Sequence, residues 1–96
     1  MKFRRTPQFI EDLSHLQEDD KTAVDEDAFR SVALALQGDT KRFKKHRIQL
    51  MEGKPGIWEG HLKQNLCFTF HYDYASDGEK ICFFRRIGTH KIYKSP

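Results

Sequence analysis

Cysteine is scarce in this 96-residue chain, which holds only Cys67 and Cys82. The two do not form a C-x-x-C pair, and no Cys/His spacing matches a structural zinc site, so both read as free, half-buried thiols. None of the five histidines falls in an H-x-x-x-H or H-E-x-x-H pattern, and the acids cluster in the first half, so neither a metal nor another cofactor is expected. The six glycines form no phosphate-cradling loop. No apolar run approaches the ~20 residues that a membrane-spanning helix needs, and Met1-Lys2-Phe3-Arg4-Arg5-Thr6-Pro7 lacks the apolar region of a secretory signal. The expectation is a soluble, cytoplasmic protein with no membrane partner, folded as one domain over residues 1–96 around one modest core.

What is present is charge, unevenly placed. The formal net charge is +3 at pH 7. Residues 1–40 hold five Lys and Arg against nine Asp and Glu, whereas residues 41–84 hold eight against five. Residues 85–96 add Arg85, Arg86, Lys91 and Lys94 with no acid. Cations gathered in the second half of a small chain create a field able to collect a polyanion on one side.

The apolar pattern divides the chain into helices followed by strands. Phe3 lies in a short extended segment, after which Thr6-Pro7 supplies an N-cap and a proline at the first helical position. Phe9, Ile10, Leu13 and Leu16 recur at helical spacing, and Glu18-Asp19-Asp20 ends that helix and begins another. The second helix carries Val24, Ala28, Phe29, Val32 and Leu36 on its apolar stripe and stops at Gly38. From residue 41 cations give way to alternation, with Ile48 and Leu50 in a first strand that ends at Glu52-Gly53-Lys54-Pro55-Gly56. Ile57 to Lys63, Leu66 to Asp73 and Lys80 to Ile87 read as three further strands with short, antiparallel connections. The fold class predicted is α+β: an N-terminal helical hairpin on one face of a twisted, mainly antiparallel sheet of four to five strands, with the other face only partly covered.

Strict alternation through the last hairpin sorts its residues into two sets. Phe68, Phe70 and Tyr72 share a face with Ile81, Phe83 and Ile87, which suits the core. Cys67, Thr69 and His71 share the opposite face with Cys82, Phe84 and Arg86, and the same parity carried through Gly88 points His90 there as well. His71 is expected to pair with Cys82 as a satisfied sheet histidine.

That second face suits chemistry on an anion. An arginine presents a planar fork to phosphate oxygens, and a histidine exchanges a proton near neutral pH. Arg86 and His90 are the leading candidates, joined by the basic run Lys41-Arg42-Phe43-Lys44-Lys45-His46-Arg47 and by Arg85 and Lys91. His61, with Lys63 on its strand face, either contacts RNA or serves as a second proton-transfer group. Trp58 either stacks on a nucleobase or packs in the sheet, and packing is favoured. His15 sits among helical acids and receives no role.

The order of these parts resembles the RelE/ParE toxin superfamily, particularly its YafQ-like branch. The resemblance rests on Gly56-Ile57-Trp58-Glu59-Gly60 and on Arg86-Ile87-Gly88-Thr89-His90, with an aromatic at Tyr93. It implies the toxin of a type II toxin–antitoxin pair, neutralised by a cognate antitoxin in a hetero-oligomer and acting as an endoribonuclease on messenger RNA in the 30S A site. The chemistry it implies is metal-independent attack by the RNA 2′-hydroxyl, with catalytic candidates His90 as acid or base, Arg86 on the phosphate, Tyr93 positioning RNA, and His61. RNA-binding candidates are Lys44, Lys45, His46, Arg47, Trp58, Lys63, Arg85 and Lys91. Family members often carry an arginine, or a histidine and an acid, where this chain has Lys63-Gln64-Asn65-Leu66-Cys67, which leaves the general base between His61 and His46. Two alternatives stand beside the nuclease: a ParE-like gyrase inhibitor, and a catalytically weak member that acts by binding its antitoxin or RNA.

Overall fold

A computed structural model describes all of residues 1–96. The chain opens as β1 (Lys2–Arg5) and turns at Thr6, whose hydroxyl accepts a hydrogen bond from the Phe9 N–H at 3.1 Å and caps α1 (Pro7–Ser14). The same hydroxyl donates to the Arg85 carbonyl, which ties the helix start to the sheet. Three more helices follow: α2 (Glu18–Ala23), α3 (Glu26–Leu36) and α4 (Thr40–Lys45). The segment expected as two helices, with a cationic link after it, is thus divided into four. Capping explains the extra boundaries. Asp25 accepts from the Ala28 N–H at 2.8 Å and so begins α3, and Asp39 accepts from the Arg42 N–H at 3.0 Å and turns the basic run into α4. Gly38, at φ 115°, makes the reversal between them.

The strands are β2 (Gln49–Leu50), β3 (Trp58–Lys63), β4 (Leu66–Tyr74) and β5 (Lys80–Gly88), close to the expected positions. They form one five-stranded sheet in the order β1-β5-β4-β3-β2, with β1 parallel to β5 and the other pairs antiparallel. A 3-10 helix, His90–Lys94, follows β5.

Phe9 of α1 and Val32 and Ala35 of α3 form one buried core with Phe68 and Phe70 of β4 and Cys82, Phe84 and Ile87 of β5. Phe9, Phe29, Phe68 and Phe70 surround Phe84 with ring centroids 5.6 to 6.4 Å apart, the range of favourable tilted and edge-to-face pairs.

The register of the last hairpin differs from strict alternation. Thr69 lies opposite Arg86 but Phe70 lies opposite Phe84, so Arg85 is the extra residue of a β-bulge. One extra residue reverses the facing of everything before it in β5. Cys82 and Phe84, expected on the open face, are core residues. Ile81 and Phe83, expected in the core, are half-buried, and His71 lies opposite Phe83, not Cys82, with their rings stacked at 5.1 Å. Arg86 and Ile87 come after the bulge and keep their expected sides. Cys67 and Thr69 are fully buried on the face opposite the helices, because the terminal segment covers them: Ile92 is buried and the Thr69 hydroxyl donates to the Pro96 carbonyl at 3.0 Å. Both cysteines are free and fully buried, more so than expected.

Candidate functional site

Two neighbouring strands and the 3-10 helix converge on one cluster. On β3, Glu59 and His61 share a side, and His61 lies opposite Cys67 of β4, which in turn lies opposite Gly88 of β5. Immediately after Gly88 the chain enters the 3-10 helix, with the Thr89 hydroxyl accepting from the Lys91 N–H. In a 3-10 helix residues i and i+3 eclipse, so His90 and Tyr93 fall on one side while Ile92 turns into the protein. Their rings are perpendicular at 5.4 Å, and the His90 ring stands 5.7 Å from that of His61. Expected partners His90, His61 and Tyr93 are therefore brought together.

The cluster grades from wet to dry. His90 is exposed, His61 is 9% exposed, and Cys67 is fully buried. The His61 Nδ1 and the Tyr93 hydroxyl are buried without a hydrogen-bond partner of ordinary geometry, and the neighbour of that hydroxyl is the Cys67 thiol. Burial, with the nearby positive charge of Arg47 and the repulsion of a charged His90, lowers the His61 pKa below the usual 6.5 against a smaller opposing pull from Glu59. Burial pushes the Cys67 thiol and the Tyr93 phenol up, so both are protonated at neutral pH. Glu59, which accepts from the Gln49 side chain at 3.0 Å, and Cys67 were not among the expected site residues. Glu59 was legible in principle from its i, i+2 relation to His61; Cys67 was not, because only the cross-strand register sets it opposite His61.

Other candidates are placed elsewhere. His46 caps the end of α4 and is 4% exposed. The His61 carbonyl, 2.8 Å from His46 Nδ1, fixes that nitrogen as a donor, and Nε2 then accepts from the Ser31 hydroxyl at 2.8 Å. This histidine joins α3 to β3 and has no free nitrogen for RNA. Trp58 faces the core side, stacked on Phe70 at 6.1 Å and edge-on to Tyr72, so it packs in the sheet. Lys63 pairs with Asp20 at 2.7 Å. Arg85, projected by the bulge, donates through Nε to the Pro96 carbonyl and through its terminal nitrogen to His71 Nδ1, each at 3.0 Å. Lys44, Lys45, Arg47 and Lys91 are exposed and make no salt bridge.

Arg86 is a clamp. Its Nε and a terminal nitrogen donate to the two carboxylate oxygens of Asp12 at 2.7 and 3.2 Å, and another donor reaches the Ser95 carbonyl at 3.0 Å. Asp12 also accepts from the Ile87 N–H at 3.1 Å, which occupies the β5 edge beyond the end of β1. Burial alone would raise the Asp12 pKa, but hydrogen bonds from Arg86, Ile87 and Gln8 and the arginine's charge together hold it below the usual 3.8. A carboxylate with a lowered folded pKa contributes stability that is present above its unfolded pKa and is lost as pH falls through the folded value. We expect the urea midpoint of the wild type to drop on acidification below about pH 4, and Asp12→Asn to start lower and show a shallower drop over the same window. Parallel slopes in the two proteins would remove the clamp from the account of acid stability.

No protein-family model and no curated protein matches the chain. Solved structures do. YafQ from E. coli matches with TM-score 0.62 and 16% identity, covering 96% of each chain. The E. coli DinJ–YafQ complex matches with TM-score 0.61 and 17% identity, covering 94% of this chain and 93% of that one. The YoeB/ParE toxin from Agrobacterium tumefaciens matches with TM-score 0.57 and 14% identity over 94% of this chain and 99% of that one. At such identities the likeness is one of fold, and over nearly its whole length the chain has a RelE/ParE-like toxin fold with YafQ among its fold relatives.

Proposed function

We propose that this protein is the toxin of a type II toxin–antitoxin pair, a cytoplasmic endoribonuclease that cuts messenger RNA in the ribosomal A site and is held silent by an antitoxin. The observation that carries the reading is the facing pair His61 and His90, 5.7 Å apart with Tyr93 against His90, within reach of the Arg47 charge and next to Lys91 in the chain. The antitoxin is supported by the DinJ–YafQ complex, whose YafQ is a fold relative.

Cleavage at a phosphodiester needs one proton removed and one supplied. In this scheme the 2′-oxygen attacks phosphorus while its proton passes to His61, the bond from phosphorus to the 5′-oxygen breaks, and His90 protonates that oxygen. The products are a 2′,3′-cyclic phosphate and a 5′-hydroxyl. Two imidazoles supply both transfers, so the scheme needs no metal. Burial favours the neutral His61 that a base requires. Arg47, Lys44, Lys45 and Lys91 hold the backbone electrostatically. Tyr93 fixes the His90 ring and positions RNA, and Arg86 acts through Asp12 by fixing β5 ahead of the 3-10 helix.

Induced expression in bacteria, with translation and messenger 5′ ends mapped, tests the proposal. The expected result is growth arrest with new 5′ ends inside translated codons, reversed by co-expression of the neighbouring short reading frame. Growth arrest with no new ends, accompanied by inhibition of gyrase supercoiling by the purified protein, would replace the nuclease with a ParE-like inhibitor. Absence of both effects would leave a module that binds without cutting.

A further inference from the structure

The same cluster has a second chemical capacity. We propose that His61, Cys67 and His90 form a binding site for a thiophilic divalent cation, of which Zn2+ is the type, and that its occupancy switches the protein off. One ligand atom from each of the three lies within 4.8 Å of the other two. Zinc takes Cys sulfur at about 2.3 Å and His nitrogen at about 2.0–2.1 Å in a tetrahedron, which puts ligand atoms somewhat under 4 Å apart. The cluster must therefore contract by roughly 1 Å, and the exposed His90 side chain can supply that movement by rotation.

Three features favour a cation over an accidental grouping. Two of the ligands, His61 and Cys67, are opposite one another in the sheet, so they are held in place before any ion arrives. The His61 Nδ1 is buried without a partner, a cost that an added ligand or bond can offset. Nitrogen and sulfur donors without a carboxylate in the set select a soft or borderline ion, not Mg2+ or Ca2+. Of the charged groups that act on His61, Arg47 opposes the cation and Glu59 favours it. Binding exchanges the Cys67 proton for the metal: the S–H bond breaks, the metal–sulfur bond forms and the proton leaves to solvent, while both imidazoles bind neutral. Three protein ligands leave one position open on the side of the exposed His90.

Occupancy withdraws both imidazoles from proton transfer. That consequence rests on the nuclease reading; the binding does not. The test is titration of the purified full chain with Co2+ and Zn2+. Co2+ is expected to bind one per chain with a near-ultraviolet thiolate-to-cobalt band, and Zn2+ is expected to displace it. Cys67→Ser should lose the band, His90→Ala should weaken binding by at least about tenfold, and Cys82→Ala and His15→Ala should retain both band and affinity. His90 is exposed, so its variant reports on the site even where Cys67→Ser fails to fold. A wild-type chain that binds neither ion at stoichiometric concentration, or a band that follows Cys82 or His15, overturns the proposal. RNA cleavage measured beside it separates the two readings. A chain that cuts but binds no metal refutes the cation site alone, and one that binds metal but never cuts refutes the nuclease alone. When both hold, one equivalent of Zn2+ should stop cleavage and EDTA should restore it; cleavage unaffected by bound Zn2+ would refute the switch.

Discussion

His90→Ala is expected to lower messenger cleavage on programmed ribosomes by about 100-fold or more while leaving the fold intact, since a positioned proton-transfer group contributes ~10²–10⁴ in rate. Both halves of the expectation come from where the residue stands. The His90 side chain lies on the solvent side of a 3-10 helix whose attachment is made by Ile92, buried against Gly88, and by the Thr89 cap. Truncating an exposed ring removes no core contact, so the unfolding free energy should move by no more than about 0.5 kcal/mol. The loss should appear in the single-turnover rate with saturating ribosomes and not in ribosome affinity, because Arg47, Lys44, Lys45 and Lys91 remain. Tyr93→Phe gives the contrast. It keeps the ring against His90 and removes a hydroxyl that has no partner of ordinary hydrogen-bond geometry and only the Cys67 thiol as its named neighbour, so cleavage should stay near the wild-type rate. Equal single-turnover rates for His90→Ala and the wild type would end the acid–base account of this site.

Gly60→Ala is expected to produce a larger loss of stability by steric contact than a Cβ added at any other glycine. A Cβ built on Gly60 would lie 2.4 Å from Phe68 Cζ and 2.9 and 3.0 Å from the two Cε atoms, inside van der Waals contact with the whole end of the ring. The ring has nowhere to go. Phe68 is 2% exposed, stacked on Phe70 at 5.9 Å and edge-on to Phe84 at 6.0 Å. Relief requires β3 to move away from β4 or the aromatic core to repack, and overpacking of this kind costs about 1–3 kcal/mol or more. Total stability for a domain of this size is typically ~5–15 kcal/mol, so the loss is a sizeable share and should be plain in the urea midpoint. Gly88→Ala calibrates it, because its Cβ would meet only the Ile92 methyl, at 3.1 Å, and a smaller drop is expected. A Gly60→Ala midpoint equal to wild type would mean that the two strands approach less closely than described.

Much of this molecule was legible without coordinates. Thr6-Pro7 signalled the start of α1, Gly38 the end of α3, and the alternation from residue 48 onward four of the five strands of the sheet, because each is a local rule of backbone satisfaction or side-chain period. The extra helices were harder. Asp25 and Asp39 are capping residues that stand inside runs that also read as continuing helix or as a charged link, and only their hydrogen bonds to Ala28 and Arg42 decide between the two.

The site divided in the same way. Arg86-Ile87-Gly88-Thr89-His90 drew notice from residue type, and His90 and Tyr93 do share a side because a 3-10 helix eclipses i and i+3. Parity misled just before that stretch. Arg85 and Arg86 look alike in sequence, but the bulge makes one a bridge from His71 to Pro96 and the other a clamp on Asp12, 74 residues away. No local pattern contains either fact, since a bulge is settled by which register buries Phe84 and Cys82 together with Phe70.

The sequence by itself determined the class of fold, the strand positions and the cationic second half, all of which follow from short-range periods and composition. Tertiary structure alone decided that His61, Cys67 and His90 meet and that His46 does not join them. It did so because cross-strand register and the path of the terminal segment bring together residues that spacing along the chain leaves unrelated.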